Sequence, residues 1–219
     1  MKLDPIRAKV LSVKIIPNVN MELANKLGLN KFEKSVGLIT VTIDDVGYAA
    51  VDEATKKADV RVIYAKSMYG GYSNASTKLA GEFIAMFSGT NPEDVKAGLN
   101  AAIDFVDYGG CFYSANDDDS ISFFSHTISR SGSYLSSMAN IMQGDPIAYL
   151  IAPPLEAIYG LDAALKAAQV SLKTFYGPPT HTNFAGGLLT GTQSACASAC
   201  DAFKNAVIEI ASNPINFRR

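Results

Sequence analysis

A segment that predicts a helix followed by a strand occurs twice in this chain. The first copy begins DEATKKADVRVIY at Asp52, and the second begins DAALKAAQVSLKTF at Asp162, 110 residues later. In both copies, alanines four residues apart share one helical face, and alternating apolar residues typical of a strand follow. We expect Asp52 to cap the first helix. A chain made of two related halves constrains the fold strongly.

The similarity continues on both sides of these segments. Upstream, DDVGYAA faces DPIAYLI, with Tyr48 opposite Tyr149, and the second copy then has a longer loop, APPLEAIYG. Downstream, AGEFIAMF faces AGGLLTGT, with Glu82 opposite Gly187. A long helix with an apolar stripe follows each of these strands, and Asn91 is predicted to cap the first. The strands KVLSVKII and ISFFSHTI begin the two halves, and each precedes a short helix, the first of which is predicted to be capped by Asn20. Each half is thus predicted to contain a strand, a short helix, two strands, a helix, two more strands and a long helix.

A tandem duplication explains this repeated order better than a chance likeness between two α/β stretches. We therefore expect an α/β (α+β) chain with a first domain at 1–112 and a second at 113–219. The small, polar and acidic segment 111–120 contains the predicted junction between them.

Composition excludes several classes of protein. The net charge of −2 gives no basic field for nucleic acid, and no apolar run is long enough to span a membrane. The N-terminus resembles no signal peptide, and three cysteines without a CxxC pattern suit a reducing cytoplasmic setting. Cys196 and Cys200 are expected to be core residues because no further ligand stands at metal-binding spacing.

Charge is distributed unevenly between the two halves. Residues 1–110 carry 26 charged side chains, whereas residues 111–219 carry 14. Because interface cores are depleted of charge, we expect the second half to contribute buried subunit contacts.

The D-x-x-x-K-A helix, its following strand, a glycine-containing loop, another strand and a long helix resemble the bacterial microcompartment shell domain. The resemblance covers nearly the whole chain twice, and is densest in SVGLITVTIDDVGYAAVDEATKKA and SRSGSYLSSMANIMQGDPIAYLIAPPLEAIYGLDAALKAA. It implies two tandem, circularly permuted, ferredoxin-like domains. It also implies a homotrimeric, pseudohexagonal tile that packs with other shell proteins around the enzymes of ethanolamine utilisation.

The resemblance implies roles for two lysines and two loops. Lys56 and Lys166 match a family lysine that lies at the tile edge; the alternative is an ordinary solvated lysine on each helix. The loops 67–79 and 175–184 match loops that open or close a large central pore; the alternative is two variable surface connections. Cobalamin is a candidate larger solute. The predicted gating residues are Tyr69, Gly70, Gly71, Tyr72, Tyr176, Gly177, Pro178 and Pro179.

The resemblance also implies a small pore within each subunit that binds ethanolamine. The matching positions are Asp44, Asp45, Glu82 and Phe112. Carboxylates and an aromatic face suit a protonated amine, which donates charge-assisted hydrogen bonds and carries a positive charge. For the Asp pair alone, a turn after a strand is an equally simple reading. Because Gly187 stands opposite Glu82, we expect one site per chain.

An enzyme is the rival class, and little in the sequence favours it. The two histidines, His126 and His181, have no nucleophile motif beside them, and the chain has no phosphate-binding loop signature. We therefore expect no catalytic residue, cofactor or metal. A second alternative is a duplicated α/β ethanolamine sensor outside any shell, in which the same pocket would switch the loops.

Overall fold

The computed structural model describes residues 3–69 and 75–215, and they form two compact units. The N-terminal unit contains residues 8–110, apart from 70–74, together with residues 132–135. The C-terminal unit contains residues 3–7, 111–131 and 136–215.

Strands and helices alternate along the described chain. In order they are β1 (Pro5–Ile6), β2 (Val10–Ile16), α1 (Met21–Lys26), β3 (Ser35–Val41), α2 (Asp44–Lys57), β4 (Arg61–Ser67), β5 (Phe83–Gly89), α3 (Pro92–Tyr108), β6 (Phe112–Ser114), β7 (Ser122–Ile128), α4 (Ser133–Ala139), β8 (Ile147–Ala152), α5 (Pro154–Ala167), β9 (Val170–Tyr176), β10 (Ala185–Gly191) and α6 (Gln193–Ser212).

The N-terminal unit is built on an antiparallel sheet in the order β2-β3-β5-β4. The helices α2 and α3 pack against each other and on this sheet. Their apolar faces meet the buried side chains of β3 and β5, among them Ile39 and Phe87. Gly47 lets α2 approach the sheet closely, because a side chain there would overlap the ring of Phe83. This close approach fixes the start of α2 against the ends of the strands.

The C-terminal unit repeats that architecture. Its strands β7-β8-β10-β9 have the same order and the same antiparallel pairing, and β6 and β1 extend the sheet beyond β7. The helices α5 and α6 take the places of α2 and α3. Gly160 of α5 lies against the buried ring of Phe203. Two units with one strand order confirm the predicted mixed α/β fold and its duplication.

Several local predictions about the repeat were wrong. The helix α2 begins at Asp44 rather than Asp52, and α5 begins at Pro154 rather than Asp162, so APPLEAIYG is largely helical. Tyr48 therefore lies on a helix whereas Tyr149 lies on β8. A single strand, β3, joins the short helix to α2, where the sequence suggested two. Proline at the first position of α5 is compatible with a helix because its missing N–H needs no partner there.

Other local predictions are confirmed. The side chain of Asn91 accepts a hydrogen bond of 2.8 Å from the N–H of Asp94, and Asn20 caps α1 by accepting from the N–H of Glu22. Cys196 and Cys200 are buried in the core of the C-terminal unit. The sequence thus identified the caps of α1 and α3 but not that of α6, where Thr192 accepts a hydrogen bond from the N–H of Ala195.

The two units do not coincide with 1–112 and 113–219, which remain a prediction for the domain boundaries. Residues 5–6 pair with β6 as an edge strand, which places the start of the chain in the C-terminal unit. Residues 132–135 are bound by α2 and so belong to the N-terminal unit. In both cases, a short segment belongs to the unit formed mainly by the other half of the chain, because it pairs with residues far away in the sequence.

Candidate functional site

Asp44 and Asp45 form the first turn of α2, directly after β3. Both carboxylates are buried, and Asp44 Oδ1 accepts a hydrogen bond of 2.9 Å from the N–H of Asp45. Ile43 precedes them and offers no side-chain cap. Acidic side chains are favoured at a helix N-terminus because they oppose the positive end of the helix dipole. The helix start therefore explains how two adjacent carboxylates are accommodated here.

Glu82 lies at the same end of the N-terminal sheet. Its N–H donates to the carbonyl of Val41, the last residue of β3, and its carbonyl accepts from the N–H of Met68, just after β4. Glu82 is therefore held at the ends of β3 and β4, where α2 begins. Three acidic residues of the predicted ligand site are thus brought to one edge of one unit.

Tyr48 and Ser67 also lie at this edge, and the sequence did not single them out. The hydroxyl of Tyr48 is 3.0 Å from Ser67 Oγ and accepts a hydrogen bond from the N–H of Ser67. Burial raises the pKa of Tyr48 above its usual range, the bond to Ser67 opposes this, and the charges of Asp44 and Asp45 add to the rise. The phenol is therefore a neutral hydrogen-bonding group beside two carboxylates.

Phe112, the fourth predicted ligand residue, belongs to the C-terminal unit. Its buried ring is stacked 5.4 Å from the ring of Phe124 and meets Phe184 edge to face at 5.7 Å. Aromatic pairs of this geometry stabilise a core. Within its own unit, Phe112 is a core side chain at the start of β6.

The C-terminal unit lacks this acidic arrangement. Matching the helices places Pro154 and Leu155 where α2 has Asp44 and Asp45. Matching the strands, with Ala185 opposite Ala152 as Phe83 is opposite Val41, places Phe184 where the N-terminal unit has Glu82. The predicted counterpart Gly187 is therefore wrong. The expectation of a single acidic site per chain still follows, because the true counterpart is apolar.

The two predicted gating loops follow β4 and β9. Tyr69 is strongly exposed, whereas Gly70, Gly71 and Tyr72 lie outside the described residues. In the second loop, the exposed residues Gly177, Pro178 and Pro179 follow the half-buried Tyr176.

A hydrogen-bonded turn ends the second loop. The N–H of Thr180 donates to the carbonyl of Phe184 at 2.8 Å, and the N–H of Asn183 donates to the carbonyl of Thr180. Asn183 has a left-handed backbone conformation, φ 67°, which asparagine tolerates better than most residues. The β9–β10 connection is therefore a folded turn rather than a featureless link.

Lys56 and Lys166 occupy the same position, the last but one residue of α2 and of α5. Lys56 pairs with Glu53 and lies 3.7 Å from Asp52, and its side chain is 20% exposed. Lys166 pairs with Asp162 at 2.5 Å and is 75% exposed. The repeat therefore places the two lysines identically, with different surroundings.

Asp52 has a role that sequence reasoning missed. It is fully buried within α2, and its carboxylate accepts hydrogen bonds from the N–H groups of Gly132 at 2.7 Å and Leu135 at 2.8 Å. Burial raises the pKa of Asp52 above its usual range, and these two bonds and the charge of Lys56 offset the rise only in part. Asp52 thus caps the first turn of α4 rather than its own helix.

The carboxylate of Glu33 and its hydrogen-bond donors hold the end of α1. Glu33 accepts hydrogen bonds from the guanidinium of Arg61, the hydroxyl of Ser88 and the N–H of Asn30. Arg61 also donates to the carbonyl of Gly28, just after α1. The bond to Arg61, above all, lowers the pKa of Glu33 to about 2.

Comparison with known proteins identifies the family. The microcompartment shell protein EutL of Clostridium perfringens is 60% identical over 217 residues, which cover 99% of this chain and all of that protein. EutL of Escherichia coli is 50% identical, with 97% of each chain covered.

The chain belongs to the EutL family of bacterial microcompartment shell proteins.

A solved structure, ethanolamine utilization protein EutL from Leptotrichia buccalis, is 59% identical, covers 99% of this chain and 100% of its own, and has a TM-score of 0.97. The BMC domain model matches residues 35–116, starting at β3. The strand β2 and the helix α1, which complete the same unit, come before that match, as expected for a circularly permuted domain.

Membership of the EutL family distinguishes between a structural shell protein and an enzyme. Proteins of this family are structural shell proteins, so the prediction that the chain is not an enzyme is confirmed. Among residues 3–69 and 75–215, no group of acidic, cysteine or histidine side chains is arranged to hold a metal ion. Within the same ranges, no helix is long and apolar enough to cross a bilayer.

Proposed function

We propose that three copies of this EutL-family chain form a pseudohexagonal tile of the microcompartment shell. The repeated strand order of the two units is the observation that carries the proposal, because a ring of six similar domains then requires three chains. An interface that joins different surfaces of successive copies forms a ring when the rotation between copies closes. The tile is expected to pack with other shell proteins into a sheet.

Lys56 and Lys166 are proposed to lie at tile edges. Their identical places in α2 and α5 support this, since pseudosixfold symmetry presents equivalent helix ends around the rim. A lysine stem can cover apolar surface of a neighbouring tile while its ammonium group stays hydrated.

Changing both Lys56 and Lys166 to alanine is expected to abolish sheets and spare trimers. At a protein concentration too low for sheets to form, light scattering should give about 70 kDa for both proteins, three times the 23.3 kDa chain. Negative-stain microscopy should show extended sheets only for the unsubstituted protein. As a control, Lys204→Ala removes an exposed helix lysine paired with Asp201 and should leave sheets intact. Sheets in the double variant would refute the edge role.

The acidic edge of the N-terminal unit is proposed to bind ethanolamine. Asp44 and Asp45 begin α2 and Glu82 lies at the same edge of the sheet, and an ammonium group would offset the negative charge concentrated there. The E. coli and C. perfringens relatives are named EutL, and the L. buccalis structure is named an ethanolamine utilization protein. A contribution from Phe112 remains part of the prediction.

Changing Asp45 to alanine is expected to abolish ethanolamine binding measured by calorimetry. Loss of a charge-assisted hydrogen bond costs about 1.5–3 kcal/mol, or roughly 10- to 150-fold in affinity, enough to remove the signal of a weak ligand. Trimers should persist. Asp201→Ala, at an exposed aspartate of α6, is the control and should bind normally. Unchanged affinity in Asp45→Ala would refute the assignment.

The loops 67–79 and 175–184 are proposed to gate a central pore, with cobalamin as a candidate solute. Support comes from their equivalent places, each after the fourth strand of a repeated order and each at the sheet edge where the preceding long helix, α2 or α5, begins. Loops are suited to gating because they change conformation at little cost to the sheet. Electron microscopy of the tile that placed both loops far from the threefold axis would contradict this role.

A further inference from the structure

One face of α5 is exposed although the matching face of α2 is covered. The exposed apolar side chains Leu155, Ile158, Tyr159 and Leu165, with Asp162 among them, follow helical spacing along α5. The matching positions on α2 are buried or half-buried. We call this set of five residues the α5 face.

Residues 132–135 cover the face of α2 that corresponds to the α5 face. Asp52 accepts from Gly132 and Leu135, Thr55 Oγ1 accepts from the N–H of Ser133 at 3.0 Å, and the ring of Tyr134 stacks 6.2 Å from that of Tyr48. Leu135 is fully buried as a result. The segment that covers α2 is therefore the first turn of the short helix α4.

The first turn of α1 is the counterpart of that cover. The helix α1 starts five residues after β2 ends, as α4 starts five residues after β7 ends. This match pairs Leu23 with Leu135 and Glu22 with Tyr134. Leu23 is 43% exposed, whereas Leu135 is 0% exposed. The first turn of α1 and the α5 face are thus both exposed in one chain. They correspond to the first turn of α4 and to α2, which contact each other within the chain.

We propose that the first turn of α1 from one chain docks on the α5 face of the next chain. The occupant is a second copy of this protein, and the inference rests on the proposed trimer. In a threefold ring each chain supplies one α5 face and one α1 start, so three identical contacts close the ring.

Asp162 is the polar centre of this contact. It matches Asp52 and is 58% exposed in the single chain. Docking places its carboxylate beside Leu23, as the carboxylate of Asp52 lies beside Leu135 within the chain. Leu23 packs beside it against Ile158. Gly132 has no equivalent, because Asn20 bears a side chain that caps its own helix, so this interface approaches less closely than the internal contact does.

Glu33 and Arg61 hold the first turn of α1 in the orientation that docking requires. By holding Gly28 and Asn30, they fix the end of α1 to β4, so that its first turn is presented in one orientation. An ordered turn loses less conformational entropy on association than a mobile one.

A charge exchange tests the contact by sedimentation velocity of the full chain. Leu23→Asp places a carboxylate against Asp162 and should raise the concentration for half-dissociation of trimers about a hundredfold. Asp162→Lys should weaken trimers similarly, because it places a long charged side chain against the apolar side chain of Leu23. The double variant should recover at least about tenfold. Phe32→Asp, at another exposed apolar residue of the same unit, should leave trimers intact.

Three outcomes separate the possibilities. Trimers of normal stability in both single variants would overturn the α5–α1 interface and leave the trimer proposal standing. Weakened single variants without recovery in the double variant would overturn the pairing of Leu23 with Asp162. An unsubstituted chain that stays monomeric would overturn both proposals. Circular dichroism should show native folding in every variant, because both side chains are exposed in the single chain.

Discussion

Replacing Asp52 with alanine is expected to lower the free energy of unfolding by about 3–5 kcal/mol. The carboxylate is fully buried, and its removal leaves the N–H groups of Gly132 and Leu135 without their acceptor. Each buried donor left unsatisfied costs about 1–3 kcal/mol. Urea denaturation should report the loss, and hydrogen exchange should show faster exchange at Gly132 and Leu135.

The matched control is Asp201→Ala, at an exposed aspartate of α6 that pairs only with Lys204 among the ion pairs of the described residues. Exposed pairs contribute about 0–1 kcal/mol, so stability should change little. Asp52→Asn should fall between the two, because the amide keeps one acceptor oxygen. Unchanged protection of Gly132 and Leu135 in Asp52→Ala would show that the carboxylate does not hold this segment.

Glu33→Gln is expected to cost about 2 kcal/mol near neutral pH and to reduce acid sensitivity. The pKa of Glu33 is lowered from 4.5 to about 2 in the folded state. Its contribution is therefore fully present above pH 4.5 and is lost as the pH falls from about 4.5 towards 2. In the variant, this part of the acid destabilisation should be missing. Urea titrations at pH 7, 5, 4 and 3 would measure it.

The comparison of interest is the slope of stability against pH. Asp201→Asn, at the exposed pair, should leave that slope unchanged. If Glu33→Gln loses stability between pH 5 and 3 as steeply as the unsubstituted protein, other carboxylates dominate acid unfolding and the low pKa of Glu33 has little effect on it.

The sequence predicted features that depend on neighbouring residues. The duplication, the capped starts of α1 and α3 and the apolar stripes of the long helices were all legible, because caps and helical periodicity act within a few residues. The start of α2 could not be predicted from the sequence. Ile43 provides no cap, Gly47 lowers helix propensity, and Asp44 and Asp45 are equally typical of a turn.

Contacts across long sequence separations escaped prediction. Asp52 and Gly132 are 80 residues apart, and Glu33 and Arg61 are 28 apart. The carboxylates Asp44, Asp45 and Glu82 were grouped only through family resemblance. Their common edge follows from strand register, with Val41 opposite Phe83, which composition and periodicity do not encode.

The two units share the chain in an interleaved manner, and this affects the order in which they can be completed during synthesis. Residues 8–110 emerge from the ribosome before 132–135, so Asp52 has no partner for its carboxylate at those positions until the second half has begun to appear. Residues 3–7 are synthesised before β6, their strand partner, and so cannot pair until residues 112–114 have emerged. A chain cut after residue 110 would therefore yield two fragments that each lack a piece of their own unit. Each duplicated half therefore completes its unit only with residues that the other half supplies.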